Sequence, residues 1–185
     1  MQRAAFLDRD GVINRGAPEG DYITRWEDVE FLPGVPEAIG LLNCSGFLVI
    51  IVTNQRCVAK GLITAEALNA LHRKMRSELA LAGARIDEVY CCPHDVQPPC
   101  GCRKPAPGML LEAARARDIA LPESWMIGDS ESDIEAGRKA GCKTARIVRG
   151  HQLSGNISDV IAPSLADAVR QLLERERIAA SCREI

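Results

Sequence analysis

Short apolar runs alternate with helix-like stretches along this sequence, and that alternation permits few folds. Phe47 to Thr53 reads Phe-Leu-Val-Ile-Ile-Val-Thr, rich in β-branched residues and bounded by Gly46 and Asn54, and is the strongest strand signal. Ala4 to Leu7, Ile86 to Cys91, Ser124 to Gly128 and Thr144 to Val148 read as further strands. Thr64 to Leu81 reads as a long helix, with Thr64 as N-cap and Glu66 in its first turn. A second helix is expected from Pro107 to Arg117, and an acidic third one ends at Gly141. Ser164 and Asp167 form a capping-box pattern that opens a last helix. Such alternation implies an α/β fold, a doubly wound parallel sheet with helices on both faces. The 185 residues suffice for one domain with a proper core, and no inserted block is long enough for a separate cap domain. Residues 1–185 are therefore expected to form a single domain, with 179–185 frayed.

The first strand ends abruptly in Asp8-Arg9-Asp10-Gly11. Carboxylates spaced i, i+2 project to one side of an extended chain, and ligands of open α/β sheets bind at the carboxyl ends of strands. An EF-hand loop starting at Asp8 is excluded, because Val12 and Ile13 stand where an oxygen ligand and glycine are required. A plain turn would explain Asp-x-Asp-Gly alone, so the other strand ends decide. These carry Thr53-Asn54-Gln55 and Gly128-Asp129-Ser130-Glu131-Ser132-Asp133, with Arg103-Lys104-Pro105 between them. In a parallel sheet, Asp8, Asp10, Thr53, Lys104, Asp129 and Asp133 share one edge. Two carboxylates about 4 Å apart repel by roughly 4 kcal/mol at an effective dielectric near 20, so the cluster needs a cation. All-oxygen ligation with open positions favours Mg²⁺. The cation and Lys104 would attract a phosphate, to which Thr53 adds a hydroxyl donor. Hydrolysis of a phosphate monoester requires such charge neutralisation.

Eight cysteines are present, and Cys91, Cys92, Cys100 and Cys102 crowd into a short loop at about 91–104. Cys92, His94, Cys100 and Cys102 make a Cys₃His set, a common closed tetrahedral zinc site. Cys91 would point away from Cys92 if the strand continues, so it is left out. The rival reading is a reactive or disulfide cluster, which a reducing compartment disfavours. A zinc ion here would be structural, and the loop leads directly into Arg103-Lys104, so it would position the lysine.

Bulk properties remove other classes. A net charge of −2 gives no reason to expect nucleic acid or an anionic membrane as partner. No apolar run approaches the roughly 20 residues of a membrane span. The opening Met-Gln-Arg-Ala-Ala-Phe-Leu-Asp is interrupted by charge too early for a signal peptide, so a cytoplasmic location is expected. A monomer is the default expectation. Gly141-Cys142-Lys143-Thr144 echoes a phosphate-binding P-loop, but Cys142 replaces the needed glycine and the segment runs from helix to strand.

On these residues the chain resembles the haloacid dehalogenase-like phosphatases. The motifs occur in that family's order: Asp8-Arg9-Asp10-Gly11, Thr53-Asn54, Lys104, then Gly128-Asp129 with Asp133. The resemblance implies a Rossmann-like sheet. It makes Asp8 the nucleophile and Asp10 the general acid/base, with Thr53 and Lys104 holding the phosphoryl oxygens. It places Mg²⁺ on Asp8, the Asp10 backbone carbonyl and Asp129, with Asp133 in support. The zinc loop resembles the branch that contains heptose 1,7-bisphosphate 7-phosphatases and histidinol-phosphate phosphatases. Asp10 to Asn14 and the Pro-Ala-Pro-Gly-Met run at 105–109 lean to the heptose enzymes, whose implied pathway is nucleotide-activated heptose synthesis for lipopolysaccharide core. The short His94–Cys100 loop looks more like the histidinol enzymes. An inactive zinc-stabilised binding module is the rival from another class. Arg103, Arg56 and Lys60 are candidate cations for a second phosphate. Gly20, Asp21, Tyr22, Asn54, Gln55 and Ser130 are expected at the substrate, with His151 and Arg149 as weaker candidates.

Overall fold

The computed structural model describes residues 1–149 and 158–181. Among them are six strands: β1 (Arg3–Leu7), β2 (Phe47–Asn54), β3 (Glu88–Cys92), β4 (Trp125–Gly128), β5 (Lys143–Ile147) and β6 (Val160–Ala162). They form one sheet in the order β3-β2-β1-β4-β5-β6, and each neighbouring pair is parallel. The helices are α1 (Val35–Cys44), α2 (Ala65–Leu81), α3 (Gly108–Arg117), α4 (Glu131–Ala140) and α5 (Leu165–Ser181).

The two-residue period of a strand divides the core between the two faces of the sheet. Ala5 and Leu7 of β1 join Val35, Ile39 and Leu42 of α1, Met75 and Leu79 of α2, and Val169 and Leu172 of α5. Ala4 and Phe6 face the other way, with Met109, Leu110 and Ala113 of α3 and Ala136 of α4. Each fully buried Leu, Ile or Phe contributes about 1.5–3 kcal/mol. This is the doubly wound sheet expected from the alternation.

Strand order reverses at β1. The chain moves outward through β2 and β3, then returns to place β4 on the other side of β1. Such a reversal opens a crevice at the carboxyl ends of the strands. Helix starts are fixed locally: the Thr64 hydroxyl accepts from the Ala67 N–H at 3.1 Å, and Ser130 with Asp133 closes a capping box on α4. Ser164 likewise accepts from the Asp167 N–H at 3.1 Å.

Some boundaries differ from expectation. Pro107 is the cap of α3 rather than its first residue. Gly108 takes that place because the Gly108 N–H donates to the Gly101 carbonyl at 3.0 Å, and a Cβ there would lie 2.1 Å from that oxygen. Strand β3 starts at Glu88 and runs on to Cys92. Helix α1 and strand β6 were not anticipated. Helix α1 follows a left-handed Gly34 with no side-chain cap, and its start signals, Pro36 and Glu37 in the first turn, were passed over; β6 has only three residues and leaves little local signal. No helix among the described residues is long and apolar enough to cross a membrane.

Candidate active site

Asp8 is the first residue past β1, and its N–H donates to the Ile127 carbonyl of β4 at 2.9 Å. Its carboxylate meets the Lys104 ammonium, whose Nζ lies 2.7 Å from Asp8 Oδ1, 2.6 Å from Asp133 Oδ1 and 2.8 Å from the Val52 carbonyl. Lys104 arrives from a loop yet is buried and held tightly. Asn54, at the end of β2, grips both its backbone groups: Asn54 Nδ2 donates to the Lys104 carbonyl, and Asn54 Oδ1 accepts the Lys104 N–H, each at 3.0 Å.

Oxygens of Asp8, Asp129 and Asp133 all lie within 4.8 Å of one another. Three carboxylates against one ammonium leave an excess of negative charge in a largely water-excluded place. Burial, with help from Asp133, raises Asp8 to about 7 against the pull of Lys104. Burial and Asp133 raise Asp129 to about 6. Burial works against the Lys104 ammonium, but Asp8 and Asp133 outweigh it and hold its pKa above the ordinary lysine value. A divalent cation fits this donor set, since it would supply the missing charge where the carboxylates otherwise resist ionisation. Gly11 has φ +83°, and a Cβ there would fall 1.9 Å from Asp129 Oδ2, so glycine is required for the approach of that carboxylate.

Asp10 is held differently. Its Oδ1 accepts from Arg9 Nε (3.1 Å), Arg9 NH2 (2.9 Å) and Asn14 Nδ2 (2.9 Å), while Oδ2 accepts from Arg9 NH2 (2.7 Å) and Gln55 Nε2 (2.8 Å). Burial opposes ionisation of Asp10, but Arg9 and the Asn14 and Gln55 amides win and keep it below the usual carboxylate range. Gln55 Nε2 also reaches Thr53 Oγ1 at 2.9 Å, which ties the buried Thr53 to the same network. Arg9 is fully buried, and its NH1 lies 3.2 Å from Nε2 of the buried His72 on α2. Burial and Arg9 lower His72 to about 4.

The second cluster lies where β3 ends. Cys92 Sγ is 3.6 Å from Cys100 Sγ and 3.3 Å from Cys102 Sγ, and Cys100 and Cys102 are 3.5 Å apart. His94 Nδ1 lies 3.6 Å from Cys92 Sγ and 3.2 Å from Cys102 Sγ. These thiols are free, not disulfide-bonded. Four ligands at about 2.3 Å from a tetrahedral zinc would be roughly 3.8 Å apart, so the set is close to the required shape. Burial opposes the Cys100 thiolate, yet the Arg103 N–H and the neighbouring thiols bring it down to about 7. Burial and the other two thiols push Cys102 up to about 12. A cation among them would let all three ionise.

A family model described as HAD-hydrolase-like matches residues 101–171. A D-glycero-beta-D-manno-heptose-1,7-bisphosphate 7-phosphatase from Rhodopseudomonas palustris is 40% identical over 96% of this chain and 94% of its own. The chain belongs to the haloacid dehalogenase-like phosphatases. A D-glycero-alpha-D-manno-heptose-1,7-bisphosphate 7-phosphatase from Mycobacterium tuberculosis is 39% identical over 89% of this chain and 88% of its own. Among solved structures, the D,D-heptose 1,7-bisphosphate phosphatase of B. bronchiseptica, complexed with magnesium and phosphate, superposes with a TM-score of 0.85. That match has 34% identity and covers 94% of this chain and 99% of the other.

In this phosphatase the expected substrate contacts take several places. Arg56 pairs with Asp95 of the cysteine-rich loop at 2.5 Å, and Lys60 stacks 4.9 Å from the centre of the Tyr22 ring. Asp21 and Tyr22 line a cavity of about 410 Å³ with Arg15 and Asp28. Arg103 NH1 donates to the His94 carbonyl at 3.3 Å. Gly20 is a left-handed turn residue with φ +89°. Asn54, Gln55 and Ser130 have partners within the protein: Asn54 holds the Lys104 backbone, Gln55 holds Asp10 and Thr53, and the Ser130 hydroxyl caps α4. Arg149 NH2 donates to the Gly11 carbonyl at 2.6 Å. His151 lies outside the described residues. The sequence reading missed Arg9, Asn14 and His72. Arg9 sits inside the Asp-x-Asp-Gly run and Asn14 three residues after it, but His72 on a long helix has no local signal.

Proposed function

We propose that this phosphatase removes the C7 phosphate of D-glycero-D-manno-heptose 1,7-bisphosphate in the cytoplasm, in the synthesis of nucleotide-activated heptose. The observation that carries the reading is Asp8 at a strand end, ion-paired to the buried Lys104 and within 4.8 Å of Asp129 and Asp133 oxygens. The names of the relatives that span nearly the whole chain supply the substrate.

Asp8 Oδ attacks phosphorus, and the bond to the sugar oxygen breaks. Lys104 and Thr53 draw charge from the phosphoryl oxygens as it builds up. Asp10, held ionised in the free protein, must take up a proton as the phosphate dianion binds; it gives that proton to the departing oxygen, then takes one from the water that cleaves the aspartyl-phosphate, so that Asp8 is regenerated. Asp8, Asp129 and the Asp10 carbonyl would hold Mg²⁺, with Asp133 in support, and the ion would neutralise phosphate and carboxylates together. Cys92, His94, Cys100 and Cys102 would hold a structural zinc that fixes the segment running into Arg103 and Lys104.

The test is a turnover panel of both heptose 1,7-bisphosphate anomers and histidinol phosphate, with and without Mg²⁺. A heptose bisphosphate should lead by well over tenfold in kcat/KM, and Asp8→Asn should abolish its turnover. Preference for histidinol phosphate, or wild-type turnover by Asp8→Asn, refutes the proposal.

A further inference from the structure

Asp10 has two oxygens with about four lone-pair positions in all. Five donor contacts fill them, and three of those come from Arg9, the next residue in the chain. The carboxylate is therefore clamped in one orientation, and Arg9 holds most of the clamp. A guanidinium on a flexible stem is a good anchor only if its own position is fixed. Arg9 is fully buried, so water does not fix it. His72 meets Arg9 NH1 at 3.2 Å from a different element, α2, through Nε2. Arginine only donates, so that nitrogen must be the unprotonated acceptor and the ring proton sits on Nδ1. His72 is itself buried, on the same helix face as Leu68 and Met75 that α2 turns inward.

We infer that Arg9 and His72 form a brace that positions the Asp10 carboxylate, with His72 as the positioning residue that anchors the catalytic loop to α2. The inference rests on Asp10 being the acid/base of the proposed reaction. His72 touches neither the phosphate nor Asp10; it acts through Arg9. Its loss should slow the steps that use Asp10 and spare those that do not. Displacing a sugar alkoxide needs a proton from Asp10, whereas p-nitrophenolate is a stable anion and leaves without one.

The experiment compares wild type, His72→Gln, His72→Asn and Asp10→Asn. Steady-state rates are measured on heptose 1,7-bisphosphate, and single-turnover release of p-nitrophenolate from p-nitrophenyl phosphate is measured with enzyme in excess. Glutamine places an amide oxygen where it accepts from Arg9; asparagine carries the same group one methylene short. His72→Asn should lower kcat at least about tenfold with KM within about twofold, since small misplacement of a catalytic group has this cost. Its p-nitrophenolate release should stay near wild type, and His72→Gln should recover most of the kcat. Wild-type kcat in His72→Asn, a parallel fall in p-nitrophenolate release, or no advantage of glutamine over asparagine overturns the brace. Wild-type kcat in Asp10→Asn instead overturns the acid/base reading itself, which separates the two failures.

Discussion

Lys104→Met removes the one cation that Asp8 and Asp133 share. The side chain is buried and reaches Asp8 at 2.7 Å and Asp133 at 2.6 Å. Methionine fills the space but leaves both carboxylates, with Asp129 beside them, uncompensated. Breaking a buried pair by removing one partner costs about 3–5 kcal/mol. Domains of this kind are stable by about 5–15 kcal/mol, so the variant should lose a large part of its stability. The loss should depend on pH in a defined direction. Asp8 titrates near 7 in the folded protein against an ordinary 3.8, so the folded state binds more protons than the unfolded one between these values. Its unfavourable contribution is full above pH 7 and disappears as the pH falls towards 4. Without Lys104 the folded pKa of Asp8 lies higher still, so acid should recover stability in the variant more than in wild type. Urea unfolding at pH 8 and pH 5.5, in buffer free of Mg²⁺ and chelator, measures both terms. Asp133→Asn in the same background should restore part of the loss. A Lys104→Met protein within about 0.5 kcal/mol of wild type at pH 8 refutes the charge argument, since that is the range of an ordinary surface substitution.

Magnesium affinity, measured by calorimetry, should hold steady above pH 7 and weaken below it, because protons on Asp8 (about 7) and Asp129 (about 6) compete with the ion; a flat profile from pH 7.5 to 5.5 contradicts the ligand assignment. Elemental analysis should find one zinc per chain, lost in Cys100→Ser together with most of the activity; zinc-free wild type that turns over normally sinks the Cys₃His assignment. Gly11→Ala should abolish Mg²⁺-dependent turnover, since its Cβ would sit 1.9 Å from Asp129 Oδ2 and its backbone has φ +83°; an active Gly11→Ala protein refutes that close approach.

The parts of the site that follow strands were legible in the sequence. A buried strand that stops in polar residues is a local event, and parallel alternation places all such ends on one edge, so Asp8, Thr53 and Asp129 could be grouped from spacing alone. The Cys₃His cluster was legible as a cluster because its four residues lie close together in the chain. Arg9, Asn14 and His72 were not, for a physical reason. A buried arginine looks like any surface arginine in sequence, and only the packing of α2 against the loop after β1 brings His72 to it. Asn54 and Ser130 show the converse. Their polar side chains at strand ends suggested ligand contacts, and the structure adds an internal role the sequence did not show: Asn54 holds the Lys104 backbone and Ser130 a helix start. Helix α1 went unread although Pro36 and Glu37 mark its first turn, because Gly34 before it offers no side-chain cap.

The central place of β1 has a consequence for how the protein is made. Strand β1 has two neighbours, and one of them, β4, follows it in the chain only at Trp125. At about 5–20 residues per second, the edge of Ala5, Phe6 and Leu7 that pairs with Trp125, Met126 and Ile127 stays open for roughly 6–24 s of synthesis. For that interval Asp8 stands at the end of an unpaired, apolar strand edge of the kind that invites aggregation. A nascent chain halted before residue 125 exposes this edge permanently, and such fragments are natural clients for chaperones.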